Sequence, residues 1–204
     1  MSDIGRIGVL ISGRGSNMEA LAIACKEGQI PARVATVVSN EPGAAGLVRA
    51  HRHGIDTVVV DHREIRGREA HDRRMAEVLD HAGCNLVCLA GYMRLLSPWF
   101  VEHYRDRIMN VHPALLPAFP GLDAQKAAWE YGAKVSGATV HFVDEHLDHG
   151  PIILQGSVPV LESDTADTLS ARILALEHIL YPRAVRLFFE GKLKVDGRRV
   201  IVDE

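Results

Sequence analysis

Short apolar runs recur along the chain, separated by charged stretches with helical spacing. "RIGVLIS" (6–12), "RVATVVS" (33–39), "TVVV" (57–60), "NLVCLAG" (85–91) and "RIMNVH" (107–112) read as buried strands. Between them, 16–28, 44–53 and about 63–81 read as helices, and Ser97-Pro98 supplies an N-cap and a first-turn proline for "WFVEHY". Such βα alternation predicts an α/β fold, a doubly wound, mostly parallel sheet with helices on both faces. After Gly121 the pattern changes. Residues 122–131 read as a helix, and "GATVHFV" (137–143) and "PIILQGSVPV" (151–160) as strands joined by a polar loop. A long helix over about 166–190 carries Leu169, Ile173, Leu176, Leu180 and Leu187 on one stripe. "KLKVDGRRVIV" ends the chain as a small hairpin turned at Asp196-Gly197.

The 204 residues predict one domain, with a first half of about 1–100 and a second of about 85–204. An apolar content of 47% suffices for a large core. A formal charge of -3, with no basic stripe, argues against nucleic acid as a partner. No apolar run approaches the ~20 residues of a membrane span. Three cysteines without disulfide spacing fit a reducing cytoplasm, and Cys84 and Cys88 fall on strand positions expected to pack in the core. A monomer or a homodimer is expected.

Two stretches carry candidate chemistry at once. "LISGRGSNMEAL" puts Gly13, Gly15, Ser16 and Asn17 between the first strand and the first helix. Backbone N–H groups at a helix start form an anion site, most often for phosphate. No Gly-Lys-Ser/Thr follows, so it is not a Walker loop, and Met18 stands where the dinucleotide fingerprint needs glycine. Glu41 keeps a weak nicotinamide reading open, and a plain glycine turn capped by Ser16 with no ligand is the other alternative. The second stretch, "HFVDEHLDHG", holds His141, Asp144, His146, Asp148 and His149. It lacks the spacing of a known metal motif, so a polar loop beside a strand end is expected, without metal. His51 and His53 are expected to be solvated at a helix end.

A third stretch, "NVHPALLPAFPG" (110–121), brings Asn110 and His112 to a strand end and then places three prolines and a glycine within nine residues. The two side chains share one face of a strand. Taken alone, Asn110 could be a strand-end cap, His112 a packed histidine and Asp148 an Asx-turn residue before Gly150.

Together "LISGRGSN", "LAGYMRLLSP", "NVHPALLPAFPG", "VHFVDEHLDHGPII" and "EHILYP" resemble, in order and spacing, the phosphoribosylglycinamide formyltransferases of the folate-dependent formyltransferase family. The resemblance covers nearly the whole chain. It implies a Rossmann-like formyltransferase fold and formyl transfer from 10-formyltetrahydrofolate, as cosubstrate, to the amine of glycinamide ribonucleotide in purine synthesis. Catalysis would rest on Asn110, His112 and Asp148. The ribonucleotide would be held by Gly15, Ser16, Asn17 and Glu177. The folate would lie against Arg68, Tyr92, Met93, Arg94, Leu95, Leu96, Asn110 and Asp144. Relatives often carry histidine where this chain has Asp123, Ala124 and Gln125. Related hydrolases of formyltetrahydrofolate carry a regulatory domain before the first strand, for which a strand starting near residue 6 leaves no room. The competing expectations are that hydrolysis and a nucleotide-binding module without chemistry.

The implied chemistry explains the residue types. Attack of an amine on the formyl carbon creates a tetrahedral oxyanion, which needs N–H donors aimed at it in advance, each worth roughly 3–4 kcal/mol. Asn110 and His112 offer such donors, the prolines fix the turn that holds them, and Asp148 would steady His112 and help move the amine proton to the leaving nitrogen.

Overall fold

The computed structural model describes residues 4–203. Its backbone groups into two compact units, one reaching to Met109 and the other beginning at Asn110.

The first unit contains β1 (Gly5–Ile11), α1 (Ser16–Lys26), β2 (Ala32–Ser39), α2 (Ala45–Arg52), β3 (Thr57–Val59), α3 (Arg68–His81), β4 (Leu86–Leu89) and α4 (Pro98–His103). The strands run parallel in the order β3-β2-β1-β4. Strand β1 lies inside, with Ile7, Val9, Leu10 and Ile11 fully buried. Its two faces meet different helices. A Cβ on Gly8 would lie 2.3 Å from Leu79 of α3, so only glycine lets that helix pack so closely. Ile11, on the opposite face by strand alternation, reaches the position a Cβ on Gly46 of α2 would take, at 2.6 Å. Helices therefore cover both faces here, as the alternating pattern predicts.

Three local expectations change. Helix α1 is capped by the backbone of Gly15 in the left-handed conformation, and Ser16 is its first helical residue with no side-chain cap. Helix α3 starts at Arg68, not near residue 63. Asp61 takes both the N–H and the guanidinium of Arg63, closing a turn, and Gly67 at φ 94 leads into the helix. Finally, His53 is half-buried against Glu19, which also pairs with Arg49. Ser97 caps α4 as expected, accepting from the N–H of Phe100 at 3.3 Å. Cys84 and Cys88 are buried thiols, and burial pushes Cys84 up to about 12, far from a reactive thiolate.

The second unit begins within β5 (Ile108–His112) and continues through α5 (Ala124–Tyr131), β6 (Val135–Phe142), β7 (Ile152–Pro159), α6 (Ala166–Phe189), β8 (Leu193–Asp196) and β9 (Arg199–Val202). Its strand order is β5-β6-β7-β9-β8. The pair β6–β7 is antiparallel, β9 joins β7 in parallel, and β8–β9 is a hairpin. Strand β6 starts two residues earlier than its apolar run, because Val135 and Ser136 pair with Pro159 and Val158. Gly156 gives Leu176 and Leu180 room to lay α6 on β7. A capping box at Thr165 and Thr168 starts α6. The terminal hairpin turns one residue later than expected. Asp196 pairs with Arg199, leaving Gly197 and Arg198 as its two-residue loop.

Candidate active site

Strand β5 alternates buried Ile108, Met109 and Val111 with the two polar residues at its end. Asn110 and His112 share a face, and His112 is only 4% exposed. The segment that follows is fixed by more than its prolines. Thr139, two residues before His141 on β6, donates to the carbonyl of Ala114 at 2.7 Å and accepts from the N–H of Leu116 at 3.1 Å. Its cross-strand partner Gln155 donates to the carbonyl of Leu116 at 2.9 Å and to Thr139 Oγ1 at 3.0 Å. Leu116-Pro117 is cis.

Asp148 arrives from the loop between β6 and β7, 36 positions after His112 in the chain. Its carboxylate is 9% exposed. One oxygen, Oδ2, accepts from the N–H of Gly121 at 2.8 Å and lies 3.3 Å from His112 Nδ1. The other, Oδ1, lies 3.5 Å from Asn110 Nδ2. Thus the three predicted catalytic residues meet within the second unit. The far nitrogen of His112, Nε2, bonds the carbonyl of Phe119 at 2.8 Å. Both ring nitrogens face acceptors, an arrangement that suits a ring donating from both. Phe119 (φ 51) and Asp148 (φ 49) are held in the left-handed region, which non-glycine residues seldom adopt and which clusters at functional sites.

A fourth residue joins them that the sequence reading left as an ordinary strand residue. His141, 2% exposed, bonds the carbonyl of Phe142 through Nδ1 at 2.7 Å, and its Nε2 lies 3.2 Å from Asn110 Nδ2. With Nδ1–H donating, Nε2 is left as the acceptor that fixes the Asn110 amide. Burial holds the His141 imidazole below its ordinary value, against the opposing pull of the Phe142 carbonyl and Asp148. The available signal was parity. His141 shares the strand face of Thr139, and a fully buried histidine among Val140 and Phe142 requires partners.

The remaining predicted residues fall in both units. In the first, Gly15 (φ 73) packs so tightly against α2 that a Cβ would lie 2.6 Å from Gly46 Cα. The N–H of Gly46 also holds the carbonyl of Gly13 at 2.9 Å. The turn therefore presents the first N–H groups of α1, at Ser16 and Asn17, from a fixed frame. Arg68 is the exposed first residue of α3. Residues 92–97 form a strap tied at both ends. The N–H of Met93 donates to Ser12 at 2.8 Å, and that of Ser97 to buried Asp72 at 2.6 Å. Tyr92 is buried, and burial together with the Asp72 charge pushes its phenol up. Met93 and Leu95 are exposed along the strap, and Arg94 and Leu96 are half-buried. In the second unit, Glu177 is a buried carboxylate on α6. Asp144 pairs with His149 Nδ1 at 2.7 Å and accepts the N–H of His146 at 2.9 Å. Burial would raise its carboxyl, but those two partners outweigh it and hold the group below its usual value.

A family described as formyl transferase matches residues 5–185. The chain belongs to the formyl transferase family. It is 44% identical to the phosphoribosylglycinamide formyltransferase of Escherichia coli (strain K12), over 94% of each chain. The crystal structure of glycinamide ribonucleotide transformylase 1 from Symbiobacterium toebii superposes with a TM-score of 0.98 at 52% identity, covering 100% of this chain and 96% of that one. The chain is also 47% identical to the trifunctional purine biosynthetic protein adenosine-3 of Drosophila melanogaster, matching over 91% of its own length but spanning only 14% of that longer protein. In this chain the asparagine and histidine of β5 and the aspartate of the later loop form one compact polar centre.

Proposed function

We infer that this chain transfers the formyl group of 10-formyltetrahydrofolate to the amine of glycinamide ribonucleotide, a step of purine biosynthesis. The observation that carries the reading is the meeting of Asn110, His112 and Asp148 around one point, in a chain of this family. The ribonucleotide phosphate binds the N–H groups of Gly15, Ser16 and Asn17, and Glu177 holds another polar group of the same substrate. The folate is contacted by Tyr92, Met93, Arg94, Leu95 and Leu96, and by Arg68 and Asp144.

In this mechanism the substrate amine attacks the formyl carbon, and the carbonyl oxygen becomes an oxyanion. Asn110 Nδ2 and His112 Nε2 carry the N–H groups that receive it. Each already has a neutral acceptor, His141 Nε2 at 3.2 Å and the Phe119 carbonyl at 2.8 Å. They are thus oriented before charge develops and exchange a neutral acceptor for an anionic one. Charge-assisted bonds are roughly twice as strong as neutral ones, so the exchange favours the transition state over the bound substrates. Asp148 steadies His112 and accepts the amine proton as the tetrahedral centre forms. The carbon–nitrogen bond to the folate then breaks, and its nitrogen takes that proton, leaving the enzyme unchanged. No step calls for a metal. The three free cysteines suit a reducing cytoplasm.

The test is the loss of formyl from 10-formyltetrahydrofolate by the purified chain, followed with and without glycinamide ribonucleotide. Loss that depends on the ribonucleotide and yields formylated product is expected. Formate release without it would replace this reading with hydrolysis. No loss under either condition would leave a nucleotide-binding module.

A further inference from the structure

The loop that delivers Asp148 carries three metal-type donors that the transfer reaction does not need as a group. Asp144, His146 and His149 each offer one ligand atom, and these atoms lie within 4.8 Å of one another. His149 Nδ1 is 2.7 Å from Asp144 Oδ2, and His146 Nδ1 is 3.9 Å from Asp144 Oδ1. The two imidazole rings sit 5.1 Å apart, centroid to centroid. We propose that Asp144, His146 and His149 form a binding site for a divalent transition metal such as Zn²⁺, and that its occupancy restrains the loop holding Asp148 and slows turnover.

The donor set defines the class of ion. Two imidazoles and one carboxylate suit Zn²⁺, Ni²⁺ or Cu²⁺, whereas Mg²⁺ and Ca²⁺ favour oxygen-only shells. Bonds of about 2.0–2.2 Å to a tetrahedral ion put neighbouring ligand atoms roughly 3.3–3.6 Å apart. The present separations of 2.7 and 3.9 Å lie on either side of that distance. All three donors lie on six consecutive residues, so no distant element must move. The side chain of His146 is exposed and is free to swing.

One group opposes the ion. Arg198, in the loop of the β8–β9 hairpin, lies 3.0 Å from His149 Nδ1 and donates to the carbonyl of His149 at 2.7 Å. A cation on His149 repels this guanidinium. Metal binding therefore loosens Arg198 from the loop while tying His149 to Asp144. Asp148, held at φ 49 one residue before His149, feels both changes.

Zn²⁺ titrated into the purified chain by calorimetry should bind one equivalent at this site. His146→Ala and His149→Ala should each weaken it about 10-fold or more, and Arg198→Ala should tighten it. Absence of saturable binding, wild-type affinity in either histidine variant, or a weaker site in Arg198→Ala overturns the proposal. The effect on turnover rests on the formyl-transfer reading. Zn²⁺ should slow wild-type transfer, a chelator should restore it, and His146→Ala should be insensitive. Bound Zn²⁺ with unchanged wild-type turnover would refute the link to Asp148. A chain that transfers no formyl group at all would sink the functional reading, while the calorimetry still decides the site.

Discussion

Asp148 has two tasks, and two substitutions separate them. Its carboxylate accepts the N–H of Gly121 and faces His112 and Asn110, while its backbone sits at φ 49. Asparagine tolerates that conformation and keeps an oxygen for Gly121, losing only the charge. Alanine loses both. The left-handed backbone costs an ordinary side chain roughly 1–2 kcal/mol, and losing the carboxylate bond to a backbone N–H costs about 1.5–3 kcal/mol. Asp148→Ala should therefore destabilise by roughly 2.5–5 kcal/mol, a fall in Tm of about 5–20 °C for a chain of this size. Asp148→Asn should melt within a few degrees of wild type. Both should lose about 10²-fold or more in kcat, because the charge that steadies His112 and takes the proton is gone from each. His112→Ala combined with Asp148→Asn should be little worse than the weaker single variant, since the two act as one unit. The measurements are thermal melts and steady-state kinetics with both substrates varied. Near-wild-type turnover in Asp148→Asn, or fully additive losses in the double variant, would refute the reasoning.

Three further outcomes are expected. Gly15→Ala puts a Cβ against Gly46 in a left-handed turn, so it should lower Tm and raise the KM for the ribonucleotide with little change for the folate; a shift confined to the folate would reverse the assignment of the two sites. Thr139→Val keeps the shape but leaves the Leu116 N–H and Ala114 carbonyl without that hydroxyl, so urea denaturation should show a loss of roughly 2–4 kcal/mol. His141 is held neutral in the fold, so as pH falls below about 6.5 the unfolded chain binds a proton that the folded chain resists, and stability drops until the folded value is reached. His141→Gln should flatten that slope below about pH 6.5 by up to about 1.4 kcal/mol per pH unit, and an unaltered slope would mean burial does not hold the His141 imidazole down.

The fold was legible where period and length agreed. Strand β1 has a buried run from Ile7 to Ile11 and lies inside its parallel group, and the stripe on α6 is buried at Leu169, Ile173, Leu180 and Leu187. The misplaced starts of two helices share one cause: a polar side chain or glycine closed a turn that periodicity does not register. Asp61 and Gly67 delayed α3, and Gly15 took the capping place expected of Ser16. In the hairpin, Asp-Gly was the visible signal, but register with β8 placed the loop at Gly197 and Arg198.

The site was legible in its donors and not in what holds them. Asn110 and His112 can be paired from strand alternation alone. Their meeting with Asp148 depends on the N–H of Gly121, on the left-handed backbone at Phe119 and Asp148, and on Thr139 and Gln155 clasping the segment between. None of these has a local sequence signature, because each is a contact between segments more than fifteen residues apart or a backbone state imposed by such contacts. His141 shows the same limit. Its neighbours on the strand mark it as buried, and only the placement of β6 beside β5 makes its unprotonated nitrogen the acceptor for Asn110. The asparagine amide, the group with the simplest role, is thus the one whose orientation depends most on residues that sequence reasoning leaves in the core. Its pre-set geometry is what makes exchange of a neutral acceptor for an oxyanion inexpensive, since no side chain has to be found and ordered as the charge appears.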